Sequence, residues 1–361
     1  PATGGGMRSR AGWRRWLGRH PLPSADELAY VSERIDADSL RRILGHFYSR
    51  LKRNKVLSAT QGHMLAAIDG HEIGSSYHRC CACCMKRSLE AGGKTRVQHY
   101  HRVVVFQLVC GDFNLLLHLE LQRAGEYEAG AAMRLLKRVV KNHPRCFDVL
   151  SADATYLRPS MVDFARSHGK HLVAVLKANQ PELLAEAKTL MASQQPLQPG
   201  GHGSPRAHKA VGLRDMEGFT TENIDAPLRI VWSHERTVKR ERVAGGWEDR
   251  QIVADWFWAT TMPQSLATTE AIAALGHDRW KIENEGFNEL VTHCHANHYF
   301  HHHPNSILVL WLVLFMAHAV FHCFHRRHLK PQLRKHHTAI YFARLMAADL
   351  RSANWWPPPP G

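Results

Sequence analysis

The chain has 361 residues, 44% hydrophobic and 22% charged, which excludes an intrinsically disordered chain and leaves room for two or three domains. Lys and Arg outnumber Asp and Glu by 47 to 32, a net charge of +15, so the expected partner is a polyanion, nucleic acid first. Eight cysteines, four of them crowded between positions 80 and 84, exclude a secreted disulfide scaffold, and no lipid-anchor or signal pattern is visible.

Residues 1–60 read as a helical, basic DNA-binding region. Arg14, Arg15, Arg19, Arg34, Arg41, Arg42, Arg50, Lys52, Arg53 and Lys55 are interspersed with apolar Leu40, Ile43, Leu44 and Phe47. Because the chain opens at Pro1, its natural start is expected upstream. Ser24 ahead of Asp26 and Glu27 marks a helix start.

A strand-rich block follows. Residues 64–68 form a short apolar run ending at Asp69, and residues 101–110 and 113–121 flank Gly111-Asp112 as a hairpin. Residues 126–140 have helical periodicity, and 147–152 form a second apolar run ending at an acid, Asp153. Helix, strand and helix are then expected at 161–167, 171–176 and 181–191. This order, a meander continuing into parallel strands through helical crossovers, is that of the ribonuclease-H-like fold.

Residues 193–206 read as a linker, 210–262 as mainly β, and 263–347 as helical. The apolar run 307–317 is too short for a membrane span and is expected as a buried helix. The fold class is therefore α/β: a ribonuclease-H-like catalytic domain with a mixed sheet, interrupted by a β-rich insertion, with helical N- and C-terminal regions. The domain plan is 1–60 (DNA-binding), 61–195 (first part of the core), 196–262 (insertion), 263–347 (helical completion of the core) and 348–361 (flexible Pro-rich tail).

Asp69 and Asp153 end two strands that lie side by side in this fold, so both carboxylates should face one cleft. Such carboxylates suit hard cations such as Mg²⁺, and a pair of ions can drive phosphodiester chemistry. A third acid is expected from residues 278–290. Trp280, Glu283, Phe287 and Leu290 share one helical face, which selects Glu283 as the inward acid and leaves Glu285 and Glu289 off that face.

With these motifs in place, the chain resembles the bacterial insertion-sequence transposases with a DDE triad, in the branch with a β-rich insertion before the catalytic Glu. That branch carries Tyr-x2-Arg-x3-Glu-x6-Lys. Arg279 and Glu283 match it, Trp280-Lys281-Ile282-Glu283 matches its usual core, and Gly276 and Leu290 replace the Tyr and the Lys. The resemblance runs from about residue 12 to 345 and is most specific in FDVLSADATY, HLVAVLK and the Glu motif. It implies that Asp69, Asp153 and Glu283 are catalytic and bind two Mg²⁺ ions, with Mn²⁺ able to substitute. It also implies cleavage at transposon terminal inverted repeats, strand transfer into target DNA, a homodimer on double-stranded DNA, and a cytoplasmic, nucleoid-associated setting with no membrane. The rivals are a nuclease of the same fold that does not join strands, and a domesticated DNA-binding protein without activity.

Further residues carry expectations of their own. Arg279 and Lys177 stand near catalytic elements as DNA phosphate contacts, with ordinary surface charge as the alternative. Trp256 and Trp258 alternate in a strand, which implies one-sided burial of both, while the family resemblance adds base stacking. Cys80, Cys81, Cys83 and Cys84, with His78, His99 and His101 nearby, offer two Cys-x-x-Cys frames for zinc. A second pair at finger spacing is missing, which favours reduced loop cysteines.

Overall fold

The structure, a computed structural model, describes residues 23–111, 113–197, 209–243, 245–298 and 301–351. Arg14, Arg15 and Arg19, most of the expected linker and the Pro-rich tail lie outside the described residues. The chain runs α1 (Ala25–Arg34), α2 (Ala37–Arg53), β1 (Leu65–Ser76), β2 (Met85–Ala91), β3 (Lys94–Cys110), β4 (Phe113–Leu121), α3 (Glu128–Asn142), β5 (Val149–Ala152), α4 (Pro159–Ser167), β6 (His171–Val175) and α5 (Pro181–Ala192). It continues through β7 (Lys209–Thr221), β8 (Ile224–Val243), β9 (Gly246–Thr260), α6 (Thr269–Asp278), α7 (Asn288–Cys294), α8 (Pro304–Cys323), α9 (Pro331–His336) and α10 (Ala339–Arg351).

Two compact units result. One comprises Phe47–His71 and Arg102–Asn288. Its β3 and β4 pair antiparallel, whereas β1, β5 and β6 pair parallel with helical connections between β5 and β6. The apolar runs explain this: Leu65–Ile68, Val149–Ala152 and Leu172–Val175 are buried along their whole length, as strands covered on both faces must be. Helix α3 packs on β4 through Leu135, Leu136 and Val139, all fully buried. Strand β9 then closes on β6 antiparallel, with Val175 opposite Trp258, and β8 and β7 follow outward. A buried bidentate pair, Arg229 on Asp215, ties β8 to β7, and Thr269 Oγ1 at the start of α6 donates to the same carboxylate at 2.6 Å.

Among the described residues, the other unit comprises residues 23–46, Glu72–His101, 289–298 and 301–351. Helix α1 opens with the expected capping box: Glu27 N–H donates to Ser24 Oγ and Ser24 N–H to the Glu27 carboxylate. The Asn305 amide caps its other end, donating to the carbonyls of Ser32, Glu33 and Ile35 at 2.9–3.1 Å. Strands β2 and β3 form a ribbon braced by Arg87, which grips Glu72 with two 2.8 Å bonds.

Three expectations need correction. Strand β1 does not end at Asp69 but runs to Ser76, and β3 starts at Lys94 rather than at 101, because the ribbon with β2 satisfies a polar stretch that lacks apolar alternation. The apolar run near 307 does not stop at His318: α8 continues to Cys323, with His318 and His322 one turn apart on Glu289 at 3.1 and 2.7 Å. That carboxyl is half-buried, which alone would raise it, but the two imidazoles hold it at about 2. Among the described residues, Pro304–His328 is the one stretch long and apolar enough to cross a membrane, and a third of its most apolar window is buried.

Candidate active site

In the parallel β1–β5 pair Ile68 is the register partner of Ala152. Asp69, still within β1, and Asp153, the first residue past β5, come next along the chain, so their carboxylates arise side by side. Across from them, Arg279 at the end of α6 is buried, and its Nη1 donates to Asp69 Oδ2 at 3.2 Å and to Glu283 Oε1 at 2.7 Å. Just past β6, the neighbour of β5, Lys177 donates to Asp153 Oδ1 at 3.0 Å. The three acids are thus brought to one place, two by adjacent strands and the third through a guanidinium.

Electrostatics separates the two Asp residues. Burial pushes the Asp69 carboxyl up to about 7: Arg279 pulls it down, but the charges of Glu283 and Glu128 push the same way as burial. Burial also raises Asp153, yet the Ala154 N–H, the Lys177 ammonium and Arg279 together hold it below its ordinary value. Asp69 is therefore a buried carboxylate short of positive charge.

A fourth carboxylate, absent from the sequence reading, sits behind Asp69. Glu128, at the start of α3, accepts from Tyr156 Oη at 2.7 Å and pairs with Arg102 at 2.7 Å. A Cβ on Gly70 would meet the Glu128 carboxylate, so a larger residue there would displace that side-chain end from beside Asp69. The adjacency of Gly70 to Asp69 was the available signal; nothing in periodicity links either to Glu128.

The donor set is all oxygen, and Asp69 and Glu283 already share the cationic Arg279. Both features fit a hard divalent cation, held by Asp69, Asp153 and Glu283.

Several expectations are corrected here. Residues Ile282–Phe287 form a π-helical turn, which breaks the 3.6-residue face used to orient Glu283. The Glu283 side chain is 47% exposed rather than inward, while Glu285 is half-buried and accepts from Asn114 Nδ2 at 2.7 Å. Trp258 is 1% exposed and closed off from any base, so it is a core residue. Trp256 is half-buried, packed edge-on against Trp280 at 4.8 Å and stacked with Trp258 at 6.2 Å. Arg279 turns Nη1 to carboxylates rather than outward to phosphate. Of the signature's two departures, Gly276 has a physical cause: a Cβ there would lie 2.1 Å from Trp258 Nε1. Leu290 is fully buried, where a lysine ammonium would have no place.

The family model described as the transposase DDE domain matches residues 60–320. The chain belongs to that family. No curated protein matches it. The transposase therefore carries the mixed α/β, ribonuclease-H-like fold expected from its strand order. Transposases of this kind cleave DNA and move it, bind DNA, and generally work with divalent metal ions.

Proposed function

We propose that this transposase cleaves at transposon ends in a metal-dependent reaction and joins the freed 3′-hydroxyl to target DNA, with Asp69, Asp153 and Glu283 as the catalytic acids. The observation that carries this reading is the Ile68–Ala152 register, which sets two carboxylates at one level, with Glu283 tied to the first through Arg279. Two Mg²⁺ ions held there would supply activation of the attacking hydroxyl and stabilisation of the leaving oxygen.

The chain's own residues do the rest. Asp69 and Asp153 are fixed by the sheet, while exposed Glu283 on its π turn is the adjustable ligand. Arg279 keeps Asp69 and Glu283 together and offsets part of their repulsion. Lys177, half-exposed beside Asp153, is placed to meet a phosphate oxygen. Glu128, held by Tyr156 and Arg102, braces the Asp69 end. Lys and Arg provide most of the affinity for the DNA backbone. A homodimer pairing two terminal inverted repeats, the bacterial insertion-sequence origin, the nucleoid setting and the five-part domain plan belong to the same proposal.

The test uses precut end duplexes, a supercoiled plasmid and Mg²⁺. The expected result is covalent joining of the 3′ end to the plasmid, lost in Asp69→Ala, Asp153→Ala and Glu283→Ala alike. Efficient cleavage of uncut end duplexes, with no joining of the precut ones under Mg²⁺ or Mn²⁺, would establish the nuclease reading instead.

A further inference from the structure

The segment Cys80-Cys81-Ala82-Cys83-Cys84 offers two Cys-x-x-Cys frames, and sequence alone cannot choose between them. The fold does. Cys80 and Cys83 are exposed, whereas Cys84 is 3% exposed and Cys81 half-buried. The Sγ atoms of Cys81 and Cys84 stand 3.5 Å apart, and His101 Nε2, from a side chain 2% exposed, lies 3.4 Å from the first and 3.3 Å from the second. The sulfurs are far beyond the roughly 2.05 Å of a disulfide.

The triangle also has the dimensions of a metal site. With Zn–S near 2.3 Å and Zn–N near 2.05 Å, a tetrahedral ion requires edges of about 3.8 Å between sulfurs and about 3.6 Å from sulfur to nitrogen. The observed edges are within about 0.3 Å of those values. The turn is closed by Cys84 N–H on the Cys81 carbonyl at 3.2 Å, and Cys81 N–H points at Cys84 Sγ at 3.2 Å.

We propose that Cys81, Cys84 and His101 hold a structural zinc ion, distinct from the carboxylate site in ligands and in metal. Two sulfurs and an imidazole select a soft or borderline cation and discriminate against Mg²⁺. Three protein ligands leave one tetrahedral position for water or a further side chain. The ion ties the loop ahead of β2 to β3 at His101, closing the base of the β2–β3 ribbon.

The test is zinc content of full-length protein, prepared without a polyhistidine tag and dialysed extensively, read by elemental mass spectrometry. The expected result is close to one zinc per chain in the parent, in Cys80→Ser and Cys83→Ser, and in Asp69→Ala. It should be lost in Cys81→Ser, Cys84→Ser and His101→Ala. Because those last variants can fail to fold, the parent is also loaded with Co²⁺, where thiolate-to-cobalt charge transfer and tetrahedral ligand-field bands are expected and added Zn²⁺ should abolish them. A zinc-free parent lacking these bands, zinc retained in Cys81→Ser and Cys84→Ser, or zinc lost through Cys80→Ser or Cys83→Ser would each overturn the assignment.

Discussion

Gly276 stands directly against Trp258: a Cβ at position 276 would lie 2.1 Å from Nε1 and 2.4 Å from Cδ1 of the indole. The indole is fully buried and hemmed by His277, edge-on at 4.8 Å, so it has little room to retreat. Gly276→Ala should therefore destabilise the fold by about 1–3 kcal/mol through overpacking, despite the helix propensity gained, of about 1 kcal/mol. Denaturant midpoints measure this, and adding Trp258→Phe should recover part of the loss. An alanine variant as stable as the parent would mean that the indole moves aside.

Arg229 and Asp215 form a buried bidentate pair, with side chains 2% and 5% exposed. Arg229→Ala strands a buried carboxylate and should cost about 3–5 kcal/mol. An apolar replacement of both partners, Arg229→Met with Asp215→Leu, should regain most of that in urea unfolding. If the double variant is no better than the single one, the bonds from Arg229 to the Ala267 carbonyl and from Thr269 to Asp215 matter more than the charge pair.

Asp69 gives a pH dependence with a definite sign. Its folded pKa is raised to about 7 from an ordinary 3.8, so its contribution to stability is fully present below the ordinary value and is lost as pH rises through about 7. Asp69→Asn stays neutral throughout. In metal-free buffer, its stability advantage over the parent should be small near about pH 4 and grow to roughly 2–4 kcal/mol by about pH 8. A difference that does not change with pH would show that Arg279 fully compensates the charge.

Much of this site was legible in the sequence because burial was. Apolar runs that end at Asp69 and Asp153 identify the two central strands, and their adjacency follows from the strand order. The β2–β3 ribbon was not legible, because MKRSLEA and KTRVQHY are charged and bury little. The orientation of Glu283 was misread because a π turn adds a residue per turn, which moves an acid off the face that 3.6-residue spacing assigns it. Trp256 and Trp258 read as a one-sided pair, yet only the structure shows the second sealed beneath Gly276. Glu128 escaped because its link to Gly70 and Tyr156 is purely tertiary.

With a net charge of +15, binding to end-sequence DNA should weaken steeply with salt. For six to ten phosphate contacts, the loss is about 10³–10⁵ in affinity between roughly 50 and 200 mM salt. Fluorescence anisotropy at a series of salt concentrations gives the slope. Asp69→Ala and Glu283→Ala should leave that slope unchanged, and a shallow slope in the parent would move recognition away from the phosphates.

The central claim is that Asp69, Asp153 and Glu283 act as one divalent-metal site, and Mg²⁺-dependent cleavage of a labelled transposon-end duplex tests it most directly. Each of Asp69→Ala, Asp153→Ala and Glu283→Ala should lower the cleavage rate by at least about 10³-fold, in line with loss of a metal-ion contribution of several kcal/mol. DNA affinity should change little, and Glu285→Gln should retain activity because Glu285 is bonded to Asn114 rather than to the other two acids. Cleavage at the parent rate by Glu283→Ala, with loss of cleavage in Glu285→Gln, would contradict the account.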